Sequence, residues 1–382
     1  MERRKNSKRI VVKVGSQVLC NATGALNTPV LASLASQISV LGRQGWQTLL
    51  VSSGAVASGM GVMQTEPGAQ KLRNIPNPVT RKQALAAAGQ VRLMETWRQH
   101  FNAHELTVAQ VLASRSDFQT RRHYLNMRAC IEALLDCGVV PIVNENDVVA
   151  VTELMFTDND ELAGLLAGMV NAELLCLLST VAGVYDRATD QPGSCRISCW
   201  DDSRHQIEDI VQRGTSELGR GGMHSKITVA RKAANLGTAV VIADGTASGV
   251  LLDVVAGGDV GTRFPAHREA SSAKRWLAGA QAVAGGSVTV NAGAEAALLD
   301  RSRLASLLPV GIESVEGPFE RGDVIQIRNS EHKVLGCGRA RYDHREAEKL
   351  QGQRGHKPLI HYDYLYLIAP ARRNEHENRT AQ

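Results

Sequence analysis

The feature that most constrains this chain is an alternation of short apolar runs with helical patterns that repeats from Arg9 to Phe264. The runs are Arg9 to Val14, Trp46 to Ser52, Thr107 to Leu112, Val139 to Val143, Leu174 to Leu178 and Thr238 to Ala243. Between them, apolar residues recur at helical spacing. One helix is predicted from Thr28, read as N-cap with Pro29 in the first turn, to near Gly45, and others over Thr80 to about Asn102 and Arg121 to Cys137. Asp158 is read as the N-cap of a helix running through Val170, and Met223 to Leu236 as a further helix. Runs that stay apolar at every position are strands covered on both faces, the situation of a parallel sheet sandwiched between helices. The prediction is an α/β fold, a three-layer αβα domain with a mostly parallel sheet over residues 1–264. Tyr185 to Trp200, with the turn formers Asp190, Pro192 and Gly193, reads as a hairpin or loop excursion from it.

The pattern then changes. Pro265 to Ala273 is polar and opens a linker predicted over residues 265–280. Residues 281–365, glycine-rich with short alternating stretches at Ser287 to Val290 and Val324 to Ile327, read as a small β-rich domain. Residues 366–382 form a polar tail. A length of 382 residues and 43% hydrophobic content suffice for such a pair of cores. The net charge of +5 is concentrated at Met1 to Arg9, where five Lys/Arg face one Glu, so the body of the chain is close to neutral. No apolar run is long enough to span a membrane. Seven cysteines without a Cys-x-x-Cys pair point to reduced thiols in a cytoplasmic protein, and Cys195 and Cys199 lack the further ligands of a zinc site.

Polar residues at the carboxyl ends of buried strands mark where a ligand would bind in such a sheet. Asn144-Glu145-Asn146-Asp147 follows the run at Val139, and Asp158-Asn159-Asp160 opens the next helix, as a cap, a binding cluster or both. Lys13-Val14-Gly15-Ser16 offers a cation and a glycine turn suited to an anion, and Ser52-Ser53-Gly54-Ala55 offers a hydroxyl and N–H groups at a helix start. Small residues at such turns also serve packing alone. Gly219-Arg220-Gly221-Gly222-Met223-His224-Ser225-Lys226 is either a surface loop or a phosphate loop. Its lysine, in the first turn of a helix, is unfavourable unless an anion sits nearby. The spacing is not that of a P-loop.

In this order, these motifs make the chain similar to the glutamate 5-kinase branch of the amino-acid kinase family, from Ile10 to about Gly352. Gly285 to Leu299, Ser306-Leu307-Leu308-Pro309 and Gly317 to Ile327 resemble the PUA domain that this branch carries at its C-terminus. The resemblance implies ATP-dependent phosphorylation of the γ-carboxylate of L-glutamate to L-glutamyl 5-phosphate, the first step of proline biosynthesis. It implies Lys13 and Lys226 as the cations on the transferring phosphoryl group, with Asp160 holding them. Ser53, Gly54, Asn144, Asp147 and Asn159 are implied at the glutamate site, where Asp147 pairs with the substrate ammonium and Asn159 hydrogen-bonds a carboxylate. ATP is implied at Lys13, Ser179, Thr180, Arg220, Gly221, Gly222, Met223, His224, Ser225 and Lys226, with Mg²⁺ held mainly by the phosphates and no metal ligand from the protein. A homo-oligomer and feedback inhibition by proline are further implications.

The chain departs from the family at Gln17, where Ser or Thr is usual, at Thr157 (Gly), at Ser179-Thr180 (Thr-Asp) and at Arg220 (Thr). Most of these lie on the nucleotide side. A rival reading is a weakened kinase scaffold with a regulatory or RNA-binding role through the PUA region. Residues 281–357 hold eleven Lys/Arg against ten Asp/Glu, which is not the basic footprint that phosphate backbones require.

Overall fold

The computed structural model describes residues 7–21, 23–118, 121–149, 158–187, 191–205, 222–267, 277, 286–300 and 305–367. The chain divides into two compact units, Met1–Phe118 with Arg122–Arg275, and Trp276–Gln382 with Gln119–Arg121. No helix among the described residues is long and apolar enough to cross a membrane.

In the first unit the strands are β1 (Lys8–Val14), β2 (Trp46–Ser52), β3 (Val108–Ala113), β4 (Val140–Glu145), β5 (Leu174–Ser179), β6 (Ala239–Asp244) and β7 (Thr262–Phe264). They form one sheet in the order β3-β4-β2-β1-β5-β6-β7, parallel throughout except where β7 pairs antiparallel with β6. The helices are α1 (Ser16–Leu19), α2 (Thr28–Arg43), α3 (Ala55–Thr65), α4 (Pro78–Asn102), α5 (Arg121–Asp136), α6 (Asn159–Met169), α7 (Met223–Asn235) and α8 (Val250–Ala256).

The period of two in a strand explains the three layers. Ile10, Val12 and Val14 of β1 point into a core shared with α2, α4 and α8, built on Leu31, Leu34, Ile38, Leu93, Trp97 and Phe101. The intervening Val11 and Lys13 are buried as well, and α6 packs against β1. A strand covered on both sides has no solvent face, which is why the inner runs are largely apolar; β3, at the sheet edge, is instead partly exposed despite its mostly apolar sequence.

The expected element boundaries hold within one or two residues, with informative differences. The N-cap position of α2 is Asn27, without a side-chain capping bond, which places Thr28 and Pro29 inside the first turn. β4 extends two residues past Val143, so Asn144 and Glu145 still belong to the strand and are buried. In the excursion Tyr185 and Arg196 pair across an isolated antiparallel bridge, and Cys199 pairs with Arg263 across an isolated parallel one.

The second unit holds a five-stranded sheet in the order β12-β11-β10-β8-β9: β8 (Gly286–Val290), β9 (Ile312–Glu316), β10 (Val324–Arg328), β11 (Val334–Arg339) and β12 (Leu365–Leu367). With α9 (Ala292–Leu299) and α10 (His344–Leu350) it encloses its own core around Val288, Val290, Ile325, Ile327 and Ile360.

Candidate functional site

The carboxyl ends of β1, β2, β4 and β5 and the amino termini of α3 and α6 surround a cavity of about 400 Å³. That volume suits a small ligand. Lys13, Ser53, Gly54, Asn144, Asp147, Asn159, Asp160, Ser179, Thr180 and Lys226 all line it, so motifs spread over more than 200 residues of sequence converge in one chamber.

Its deepest feature is an ionic triad. Asp160 is fully buried, with Oδ1 2.7 Å from Lys13 Nζ and Oδ2 2.9 Å from Lys226 Nζ. Burial alone would push the Asp160 carboxyl upward, but the two ammonium groups outweigh it and hold the carboxyl below its ordinary range. Each partner comes from a different element: Lys13 from the centre of the sheet, Asp160 from the first turn of α6 and Lys226 from the first turn of α7. Asp160 holds two ammonium groups side by side, preorganised before any ligand arrives. The anion expected near Lys226 is thus, in the first instance, a side chain of the protein.

Local capping fixes the triad. Asp158 caps α6 through Oδ1, which accepts from the amides of Asp160 at 2.9 Å and Glu161 at 3.0 Å. Its Oδ2 accepts from the Ser225 hydroxyl at 2.5 Å, tying the start of α7 to the start of α6. Gly222 is the N-cap of α7, while Met223 and His224 are part-exposed and exposed and do not line the cavity. Arg220 and Gly221, and Thr157, lie outside the described residues.

At the other end of the chamber is a chain of amides. Asn159 Nδ2 donates to Ser53 Oγ at 2.9 Å and to Asn144 Oδ1 at 3.0 Å, and Asn144 Nδ2 donates to Gln90 Oε1 at 2.9 Å. Both N–H groups of Asn159 are thus engaged within the protein, and its Oδ1 is left toward a ligand. Asp147 is half-buried, its Oδ1 3.8 Å from Lys82 Nζ. Burial raises its carboxyl above the ordinary value, and Lys82 only partly offsets this.

The turn after β2 is shaped by Gly54, whose φ of 101° lies in the left-handed region and swings the chain into α3. Not every backbone N–H expected to face an anion is free to do so. Gly15 N donates to Leu178 O at 3.1 Å and Ser53 N to Val14 O at 3.1 Å, both bonds joining neighbouring strand ends. Toward the cavity lie the first turn of α3, with Ala55, Val56 and Ala57 in its wall, and that of α1, with Ser16 and Gln17.

Sequence reasoning missed Lys82 and Gln90. Both lie on α4, which reads as an ordinary amphipathic helix, and the available signal was the small-residue run Ala86-Ala87-Ala88-Gly89 just before Gln90, a mark of close helix approach. Gln17, one of the departures from the family pattern, also lines the cavity.

Two family models match the chain: the amino acid kinase family over residues 8–244 and the PUA domain over residues 286–362. Among similar curated proteins, a glutamate 5-kinase from Chlorobaculum tepidum is 45% identical over 361 residues, covering 94% of this chain and 98% of the relative. One from Bacteroides thetaiotaomicron is 40% identical over 362 residues, with the same coverages. One from Myxococcus xanthus is 38% identical over 374 residues, covering 97% of this chain and 96% of the relative.

Proposed function

The chain belongs to the amino acid kinase family, and on that premise we propose that it transfers the γ-phosphoryl group of ATP to the side-chain carboxylate of L-glutamate. The product is L-glutamyl 5-phosphate, and the reaction opens proline biosynthesis. The observation that carries this reading is the Lys13–Asp160–Lys226 triad in the wall of a cavity whose other end offers Asp147, Ser53 and Asn159.

The chemistry asks little of the protein in proton transfer. A glutamate side chain, of pKa about 4.3, is already ionised at neutral pH, so the nucleophile needs no general base. The obstacle is repulsion between that carboxylate and a triphosphate. Lys13 and Lys226 hold positive charge where negative charge builds on the phosphate oxygens during an in-line transfer, and Asp160 keeps both ammonium groups in place before the substrates arrive.

Mg²⁺ fits here as a companion of the nucleotide, because the acids beside the lysines are engaged: Asp160 by Lys13 and Lys226, Asp158 by Ser225 and the α6 amides. When bound, it neutralises phosphate charge and orients the phosphoryl group. Ser179, Thr180 and the segment from Arg220 to Lys226 are assigned to ATP. Ser53, Gly54, Asn144, Asp147 and Asn159 are assigned to glutamate, with the ionised Asp147 pairing with its α-ammonium. Proline, which shares glutamate's α-carboxylate and a cationic nitrogen, would compete at this end.

Purified protein incubated with glutamate, MgATP and hydroxylamine should yield γ-glutamyl hydroxamate, since an acyl phosphate is captured by that nucleophile. No hydroxamate at saturating ATP would refute the assignment.

A further inference from the structure

The amide chain at the glutamate end has a direction, and one backbone group sets it. The N–H of Glu145 donates to Asn144 at 2.9 Å. A backbone N–H can only donate, so the Asn144 atom facing it is the oxygen. Asn144 Nδ2 must then point the other way, toward Gln90, and the Gln90 atom that meets it at 2.9 Å must be the accepting Oε1. The same Asn144 oxygen also takes a hydrogen from Asn159, so the Asn159 atom there is nitrogen, and its second hydrogen goes to Ser53 Oγ. Reversing any amide would set two donors or two acceptors against each other.

This direction reaches the substrate groups. Ser53 Oγ accepts from Asn159, which leaves its own hydrogen to donate into the cavity, where a carboxylate oxygen is the matching partner. Asn159 is left with Oδ1, an acceptor that matches an ammonium. Gln90 lies at the far end of the chain, on α4, in no family motif named above.

We propose that Gln90 is a positioning residue for the amino-acid substrate: with the polarity of Asn144 set by the Glu145 N–H, the accepting oxygen of Gln90 anchors the Nδ2 end of Asn144, and through Asn144 it holds Asn159 and Ser53 in place toward glutamate. The inference rests on the glutamate kinase reading. Without the acceptor at position 90, the Glu145 N–H still fixes which end of Asn144 is oxygen, but Asn144 Nδ2 loses this partner, its side chain gains freedom to swing, and the Asn159 and Ser53 contacts that depend on it loosen. Substrate binding suffers, while the triad and the nucleotide end do not.

The test compares wild-type protein with Gln90→Met, which keeps the length and removes the acceptor, and Gln90→Glu, which keeps an accepting oxygen. Glutamate KM, ATP KM and kcat are measured by hydroxamate formation, and thermal unfolding of each variant is recorded. Gln90→Met is expected to raise the glutamate KM by about tenfold, the size of one lost hydrogen bond, with the ATP KM unchanged. Gln90→Glu is expected to recover most of that loss. An unchanged glutamate KM in Gln90→Met, equal rises in both KM values, or a Gln90→Glu variant as impaired as Gln90→Met would each overturn the proposal. Failure of the kinase reading is told apart by the wild-type protein, which would then give no hydroxamate at all.

Discussion

Gly59 and Gly89 bring α3 and α4 into backbone contact: a Cβ atom on Gly89 would collide with the Ala55 carbonyl and the Gly59 amide, and one on Gly59 with the carbonyl of Leu85. These are backbone atoms that cannot rotate away. The contact sets where α3 begins, and hence where Gly54 and Ala55 meet the cavity.

Gly59→Ala and Gly89→Ala are therefore expected to destabilise the protein by about 1–3 kcal/mol, as overpacking does in a close interface. Both should also raise the glutamate KM, because the start of α3 shifts. Urea unfolding read alongside the hydroxamate assay checks the pair of effects. Wild-type midpoints in both variants would show that the helices have room to spare.

The triad carries stability as well as charge. Removing Asp160 leaves two buried ammonium groups without their shared partner, and Asp160→Ala should cost about 3–5 kcal/mol. Lys13→Met and Lys226→Met should each lower kcat by about 10²- to 10³-fold, the usual loss when one preorganised charge is taken from a transition state. Single-turnover rates separate this from binding.

The pH dependence of that stability has a definite sign. The folded-state pKa of Asp160 is depressed, so its contribution is complete above the unfolded carboxylate value of about 3.9 and is lost as pH falls through the lower folded value. The stability difference between wild type and Asp160→Asn should be flat from pH 7 down to about pH 4 and shrink only below it. Denaturation midpoints across this range measure it, and a difference that fades nearer neutrality would contradict the triad's assigned charge state.

Asp147 behaves in the opposite sense. Its folded-state pKa is raised, chiefly by burial, so the carboxyl costs stability as pH rises through that value. Asp147→Asn is expected to be as stable as wild type at neutral pH, or more so, while raising the glutamate KM sharply. This would be a cost in stability kept for function. In wild type the same KM should climb as pH drops toward the Asp147 value, and the variant should lose that climb. A destabilised variant with unchanged KM would reverse the assignment.

Thiol reactivity should divide by burial. Cys20 and Cys176 are pushed up to about 11 and about 12 by burial, so neither offers a thiolate near neutral pH. Native protein treated with iodoacetamide at pH 8 should be alkylated at the exposed Cys130, Cys137, Cys195 and Cys199, and protected at Cys20, Cys176 and Cys337. Peptide mass spectrometry reads this directly, and early labelling of Cys20 or Cys176 would contradict their burial.

Much of this architecture was legible because burial on both faces writes itself into composition. The apolar run Trp46–Ser52 coincides with its strand residue for residue, and the place of Asp158 before an apolar helix marks it as the cap it is. The three-residue β7 strand was not legible, since a pairing so short leaves no periodicity. The short helix α8 escaped for a similar reason. At the site, the strand-end motifs announced themselves, while Gln90 and Lys82 did not: their partners Asn144 and Asp147 lie more than fifty residues away, and nothing local to α4 encodes that meeting. The strand neighbours that accept from the N–H groups of Gly15 and Ser53 are not evident from sequence, so local pattern alone leaves these groups open to an anion.

The most direct measurement is a substrate panel: kcat/KM for L-glutamate, L-aspartate and N-acetyl-L-glutamate with MgATP, each product trapped as its hydroxamate. The α-ammonium assigned to Asp147 is present in glutamate and masked in the acetylated acid, while aspartate is one methylene too short to reach the triad from that anchor. Glutamate should be favoured over both by at least about 10²-fold, the scale set by an unpaired buried charge or a misplaced reacting atom. Equal or better turnover of N-acetylglutamate or aspartate would contradict the account.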